Sequence, residues 1–368
     1  MNIGVLGGGQ LGRMLALAGY PLGHDFVFLD PAPEALCGLG SHLVAQPDDG
    51  RALAELAARV DLVTYEFENV PAAAARTLAE RVPVYPSPAA LEVSQDRLHE
   101  KTLFRSLGIP TGPFAPIDSS ETLATAVDAV GTPAVLKTRR LGYDGKGQRV
   151  VGGPDELAPA WAALGKVPCL LEGFVRFERE LSCLAVRGRD GTVAVYPLVE
   201  NHHEAGILRR SVAPAPAATD ERQADAASFA RRLLERLDYV GVLALELFEV
   251  DGGLLANEIA PRVHNSGHWT IEGAETSQFE NHVRAITGAP LGSVATVGVS
   301  AMVNLIGGWP DPARLLAIAG AHLHLYGKAP RPGRKVGHVT VRCDEPESLA
   351  HGLAAVERIL SEGLPRAT

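Results

Sequence analysis

Four cysteines in 368 residues (Cys37, Cys169, Cys183 and Cys343) are too few and too scattered for a disulfide framework. None has a close Cys/His ligand spacing, so structural zinc is not expected and a reducing compartment is. No apolar run approaches the roughly 20 residues that span a bilayer. Met1 leads straight into an apolar segment without a charged leader or cleavage site, so a secretory signal is not expected either. Positive charge is also short: 34 Lys and Arg against 43 Asp and Glu leave a formal net charge of -9. That balance argues against a nucleic-acid partner held by bulk electrostatics, though not against a local basic pocket for a small phosphate ligand. These absences point to a cytoplasmic chain with neither a membrane nor a nucleic-acid partner. What is present, 46% hydrophobic and 21% charged residues, is ordinary for globular domains, and the length accommodates two or three.

Residues 1–107 alternate short apolar runs (3–6, 26–29, 62–65) with helical patterns (11–18, 51–59, 72–81). This alternation predicts βαβ units around a parallel sheet, a Rossmann-like N-terminal domain. Pro-rich segments at 82–88 and 108–116 mark the way out of it. Residues 108–178 read as a small, loop-rich α+β unit, suited to a lid. From 179 to 368 the strands lengthen and pair, a long helix is predicted over 220–237, and the tail returns to strands before a final helix over 347–361.

Four features carry chemistry. Gly7-Gly8-Gly9-Gln10-Leu11-Gly12 fits G-x-G-x-x-G between a strand and a helix, with Asp30 ending the next strand. By itself this admits a nicotinamide dinucleotide or another phosphate ligand, because glycines let an anion approach free helix N–H groups. Lys137 ends an apolar strand and is followed by Gly142-Tyr143-Asp144-Gly145-Lys146-Gly147-Gln148, a glycine flap over a polyphosphate that lacks the Walker pattern. Glu246 and Glu258 flank the turn Asp251-Gly252-Gly253, so a hairpin places them opposite one another, and a shared magnesium ion relieves their repulsion. The stretch from Asn257 through Arg262, His264, Asn265 and His268 ends an apolar strand in groups too polar to bury unpaired.

The order of lysine, flap, a strand carrying Glu172 and a glutamate hairpin resembles the ATP-grasp enzymes. Three further stretches narrow the match: Gly4 to Met14, Tyr65-Glu66-Phe67-Glu68-Asn69-Val70, and Arg331-Pro332-Gly333-Arg334-Lys335-Val336-Gly337-His338. With Gly206-Ile207-Leu208 after His203, they resemble the N5-carboxyaminoimidazole ribonucleotide synthases, the ATPase subunits of phosphoribosylaminoimidazole carboxylase, as far as about Arg342. The resemblance implies an ATP-grasp fold behind a Rossmann-like domain, with a small C-terminal β-rich extension. It implies ATP- and bicarbonate-dependent carboxylation of 5-aminoimidazole ribonucleotide in purine synthesis through carboxyphosphate, with magnesium and a homodimer.

The resemblance also distributes roles. It places ATP against Arg97, Lys137, the flap from Gly142 to Gln148, Glu172, Gly173, Phe174, Val175, Glu180, His203, Asn257 and Glu258. In this scheme the backbone of 172–175 reads the adenine edge and Glu180 the ribose, while Glu246 and Glu258 hold the metal. Asp144, Arg262, His264 and Lys328 are the catalytic candidates, with Arg262 and His264 turned to bicarbonate. Gln10, Leu11 and Gly12 with Lys328, Arg334 and Lys335 form the ribonucleotide phosphate site, and Glu66 meets its ribose or ring. Ala260 stands where many ATP-grasp enzymes have a metal-binding asparagine, which leaves Asn257 or Asn265 as the amide ligand. Other expectations are a related ligase such as formate-dependent glycinamide ribonucleotide transformylase, a nicotinamide-dependent oxidoreductase, and a non-catalytic nucleotide-binding regulator.

Overall fold

The computed structural model describes residues 1–32, 39–142 and 145–362. The N-terminal part runs β1 (Asn2–Leu6), α1 (Gln10–Gly19), β2 (Asp25–Asp30), β3 (Ser41–Val44), α2 (Gly50–Arg59), β4 (Leu62–Tyr65) and α3 (Ala72–Ala79). Its strands are parallel in the order β3-β2-β1-β4. Ile3, Val5, Leu6, Leu62 and Val63 are fully buried, as central parallel strands covered on both faces require. The ends of β1, β2 and β4 bring Gly7, Asp30 and Glu66 to one edge, where open α/β sheets bind ligands.

Two helices that periodicity did not predict follow, α4 (Pro88–Ser94) and α5 (Arg97–Ser106). Asp96 caps α5 by accepting from the Leu98 N–H at 3.1 Å. Helix α5 hides from a hydrophobicity reading because it buries charge: Glu100 and Lys101 are only 2% and 3% exposed.

The middle unit comprises β5 (Phe114–Ile117), α6 (Thr122–Val130), β6 (Ala134–Thr138), β7 (Gln148–Val151), α7 (Leu157–Ala163) and β8 (Cys169–Gly173). It forms an antiparallel sheet in the order β5-β8-β6-β7, with a small core of its own around Leu136, Trp161 and Leu171. Lys137 lies on β6 and Glu172 on β8, neighbouring strands of this sheet.

The third part contains β9 (Arg179–Arg187), β10 (Val193–Val195), β11 (Val199–Glu204), β12 (Ile207–Ala213), α8 (Asp220–Arg236), β13 (Gly241–Val250), β14 (Gly253–Ala260), α9 (Thr270–Gly273), α10 (Gln278–Thr287), β15 (Val299–Ile306), α11 (Pro312–Leu316), β16 (Ala321–Leu325), β17 (Lys335–Cys343) and α12 (Pro346–Ser361). One sheet runs β14-β13-β9-β11-β12-β15-β17-β16, with β10 paired to β9. Strands β11 and β12 escape prediction because Asn201, His203 and Arg210, which line a cleft, interrupt the apolar residues Val199, Leu208 and Ala213 that the strands bury in a core. The C-terminal strands β15 to β17 continue the large sheet through the β12–β15 pairing.

The N-terminal part docks through α1, whose Leu11, Met14 and Leu15 share a core with Phe279, Val283 and Ile286 of α10. His282 of α10 adds a polar tie. Its Nδ1 accepts from the Val242 N–H at 3.1 Å, so Nε2 carries the proton and donates to Thr64 Oγ1 at 2.9 Å. Burial holds this imidazole neutral, with a pKa lowered to about 3.

Candidate active site

A cleft of about 1320 Å³ opens where the three parts meet. The hairpin of β13 and β14 forms its floor. Asp251 and Gly252 both have positive φ (48° and 69°), the conformation of a two-residue turn whose twist matches the strands. The register pairs Glu246 with Glu258 across the hairpin, the opposition expected from the sequence. The next pair is Leu247 with Ala256, so Asn257 is an extra residue in a bulge, a device that re-aims side chains next to active sites.

Of the two amide candidates, Asn265 has both its amide nitrogen and its amide oxygen hydrogen-bonded. It exchanges two hydrogen bonds with Asn304, at 3.0 and 2.8 Å. The Asn257 Oδ1 is buried with no hydrogen-bond partner among the described residues. Two facing carboxylates and, in the bulge beside Glu258, an unpaired amide oxygen are hard oxygen donors, the chemistry that magnesium takes.

Each carboxylate has a protein partner. Arg97 donates to Glu258 at 2.7 Å; burial opposes ionisation, but the guanidinium brings the net pKa of Glu258 below the ordinary range. Glu246 is pushed up to about 7, by burial first and by the Glu258 charge second. His264 Nε2 lies 3.2 Å from Glu246, while its Nδ1 accepts from the Ser266 N–H at 3.3 Å. Burial, aided by the charge of Arg262, holds this imidazole well below its usual pKa. The contact is therefore a hydrogen bond from a neutral ring rather than an ion pair. Arg262 itself is hydrogen-bonded to Glu68 and donates to the Val263 carbonyl at 3.0 Å.

Above the hairpin, Glu172 lies between Lys101 at 3.1 Å and Lys137 at 3.2 Å. Burial would raise the Glu172 pKa, but the two ammonium charges take it down to about 2. Burial lowers that of Lys137. Arg97, Lys101 and Lys137 thus converge on one buried region, a setting for polyphosphate oxygens. Glu180 is hydrogen-bonded to His203, whose pKa that contact raises against the opposing effect of burial. His202 is exposed and lies 3.6 Å from Glu204.

Two expectations need correction. Of the backbone groups expected to read an adenine edge, Gly173 N–H already donates to the Pro113 carbonyl at 2.9 Å and Phe174 N–H to that of Pro133 at 3.0 Å. Both bonds follow from the chain leaving an antiparallel sheet alongside two proline carbonyls. Val175 remains, its N–H without a partner among the described residues. At the other end of the cleft, Gly12 N–H does not await a phosphate, because it donates to Glu66 at 2.7 Å and Gly9 N–H bonds the same carboxylate. Glu66 caps the start of α1 from another strand. Gln10 and Leu11 keep their helix-start N–H groups, and Lys328 is bonded to the Gln10 side chain. Arg334 and Lys335 line the same end.

Gly142, Gly145, Lys146 and Gln148 of the flap line the cleft, and Gly145 and Gly147 have φ of +75° and +73°. Tyr143 and Asp144 lie outside the described residues. Lys101, Glu100 and Glu68 went unread in the sequence. The signal for the first two was the spacing Arg97, Glu100, Lys101, which puts all three on one face of α5. For Glu68 it was its place two residues after Glu66 in an extended segment.

Residues 1–95 match the ribonucleotide synthetase preATP-grasp domain, 102–279 the ATP-grasp domain, and 300–352 the phosphoribosylaminoimidazole carboxylase C-terminal domain. A Pseudomonas aeruginosa protein named N5-carboxyaminoimidazole ribonucleotide synthase is 58% identical over 361 residues, spanning 98% of this chain and 99% of its own. This chain belongs to the N5-carboxyaminoimidazole ribonucleotide synthase family. A crystal structure of a family member from Thermus thermophilus has 60% sequence identity and a TM-score of 0.95, covering 99% of this chain and 100% of that one. Another from Aspergillus clavatus, in complex with ADP and 5-aminoimidazole ribonucleotide, has 33% identity and a TM-score of 0.88, covering 97% and 99%.

Family membership overturns the nicotinamide reading, and the geometry supplies the reason. Asp30, its expected ribose ligand, spends one oxygen on the Gly8 N–H and the other on the Ala32 N–H. The glycine loop in this member of the synthase family faces the Glu66 carboxylate, which a dinucleotide pyrophosphate would have to displace.

The buried acids predict a pH dependence for the ligand-free synthase. Glu246, pushed up to about 7, and Glu100, pushed up to about 8 by burial and then by the Glu258 charge, keep protons that the unfolded chain has released. Stability from such groups falls as pH rises. Below about pH 6.5 the buried neutral histidines oppose this, because the unfolded chain then binds the extra protons. The melting temperature is therefore expected to fall between about pH 6.5 and 8. Thermal melts without metal across this window check it; a flat or rising profile contradicts the assignment.

Proposed function

We propose that this chain catalyses the ATP- and bicarbonate-dependent carboxylation of 5-aminoimidazole ribonucleotide, yielding N5-carboxyaminoimidazole ribonucleotide, ADP and phosphate. The carrying observation is that one cleft joins the buried lysine and glutamate cluster to the glycine loop and its basic wall, with Arg262 and His264 on the lining between. Its parts are 1–107 as the Rossmann-like domain with the substrate phosphate site, 108–178 as the small ATP-grasp lid and 179–368 as the large ATP-grasp domain with its C-terminal β-rich part.

Glu246 and Glu258, with Asn257, would hold magnesium, which when bound would neutralise phosphate charge. Arg97, Lys101 and Lys137 surround the phosphates, and the Val175 N–H meets the adenine. Phe248, stacked on Phe177 with ring centroids 4.7 Å apart, supplies an apolar wall. Glu180 and His203 serve the ATP ribose. A bicarbonate oxygen attacks the γ-phosphorus, the bond to ADP breaks, and carboxyphosphate forms while Lys137 stabilises the transferring charge. Arg262 and His264 orient bicarbonate. The exocyclic amine then bonds the carboxyl carbon, phosphate leaves, and one proton is lost to Asp144 or to solvent. Gln10 and Leu11 N–H groups with Lys328, Arg334 and Lys335 hold the ribonucleotide phosphate. The flap closes over carboxyphosphate, which water would destroy.

The enzyme is read as a cytoplasmic homodimer. The cysteines within the described residues are free, and no described helix is long and apolar enough to cross a membrane. The deciding experiment measures ADP release and fixation of labelled bicarbonate with and without aminoimidazole ribonucleotide. Fixation that does not require the ribonucleotide, or none with it, defeats the reading.

A further inference from the structure

The segment from Glu66 to Glu68, just after β4, touches both ends of the reaction. Glu66 accepts from the N–H groups of Gly9 and Gly12 at the start of α1, beside Lys328. Two residues on, Glu68 is hydrogen-bonded to Arg262 at the end of β14. The Arg262–Glu68 pairing is not a loose surface contact, since the two side chains are 14% and 24% exposed. Gln95 anchors the far side of the loop: its Nε2 donates to the carbonyls of Glu68 at 2.8 Å and Val70 at 2.6 Å. Beside it, the hydroxyl of fully buried Tyr65 has no hydrogen-bond partner among the described residues, although Arg262 and Glu68 are its charged neighbours. That orphan is a donor for the Glu68 carboxylate in a second position.

In this arrangement Glu68 quenches the charge of the arginine that is to hold bicarbonate. A phosphate dianion at Gln10, Leu11 and Lys328 arrives beside Glu66, and like charges at close range force the carboxylate to move or take a proton. Movement of Glu66 pulls a segment only two residues from Glu68. We propose that Glu68 is a positioning residue that releases Arg262 only when the ribonucleotide is bound, so that ATP is spent on bicarbonate only with the acceptor in place. This rests on the proposed carboxylation. The two carboxylates form the switched element, and both sites bias it.

The test compares wild type, Glu68→Gln and Glu68→Asp in two assays. One measures ADP release with Mg-ATP and bicarbonate, with and without aminoimidazole ribonucleotide; the other measures ADP formed per labelled carboxylate fixed. Wild type should require the ribonucleotide and keep a one-to-one ratio. Glu68→Gln should raise ribonucleotide-independent ADP release about tenfold, a typical coupling size, and push the ratio above one. Glu68→Asp should restore coupling. A folded Glu68→Gln enzyme that stays ribonucleotide-dependent at one-to-one overturns the proposal, as does a wild type that fixes bicarbonate but releases ADP equally without the ribonucleotide. If Glu68→Gln shows no melting transition, Gln95→Ala takes its place, because it loosens the loop without removing either carboxylate; full coupling there overturns the proposal too. Absence of fixation by wild type would instead refute the carboxylation itself.

Discussion

Replacing Lys137 by Met is expected to lower kcat by about 100- to 1,000-fold and weaken ATP binding, with little change in melting temperature. The kinetic loss follows from removing one preorganised positive group from a buried phosphoryl-transfer site. Lys137 lies one residue before the end of β6 with its Nζ 3.2 Å from Glu172. The Glu172 Oε1 on that side has no aligned hydrogen bond, so the pair is a charge contact that a phosphate oxygen can replace. The fold survives because Lys101 stays 3.1 Å from the same carboxylate, which avoids an unpaired buried charge. Methionine keeps the apolar stem in the sheet. ADP titration calorimetry and steady-state ADP release check the prediction. Activity within threefold of wild type removes Lys137 from the chemistry.

Glu258→Gln is expected to weaken magnesium binding by on the order of 100-fold or more, beyond the 10–100-fold that supporting residues give. Glu258 faces Glu246 across the hairpin and pairs with Arg97 at 2.7 Å. Neutralising it has a second consequence. The Glu258 charge is the next largest cause, after burial, of the raised Glu246 pKa, so in the variant that pKa should fall from about 7 toward the ordinary range. The melting profile between pH 6.5 and 8 should flatten in the same variant. Manganese binding followed by spin resonance gives the affinity without relying on turnover. Unchanged affinity would mean that the metal is held elsewhere.

The hairpin shows what could be read from one dimension. A two-residue turn of Asp251 and Gly252, nearly central between two glutamates, makes their opposition a matter of strand period and turn geometry. Lys137 and the glycine loops were legible for the same reason, since local apolar runs and turn residues announce them. The polar strands β11 and β12 and the charged helix α5 were not, because their side chains answer to a cleft made by distant segments. Which of Asn257 and Asn265 is left unpaired was likewise closed to pattern reading. It depended on a bulge in β14 and on Asn304 of β15, 39 residues beyond Asn265.

The sequence by itself determined the kinds of groups present and the elements that carry them: a parallel N-terminal sheet, a small middle sheet with its lysine and glycine loop, and a glutamate hairpin. Tertiary structure decided which group each one meets. Arg97 finds Glu258 across 161 residues, Arg262 finds Glu68 across 194, and Lys328 finds Gln10 across 318. Helix and strand periods act within a few residues and place a side chain on a face. Pairing of charged groups acts through space, and the partner is whichever opposite charge or polar acceptor the packed domains bring within reach.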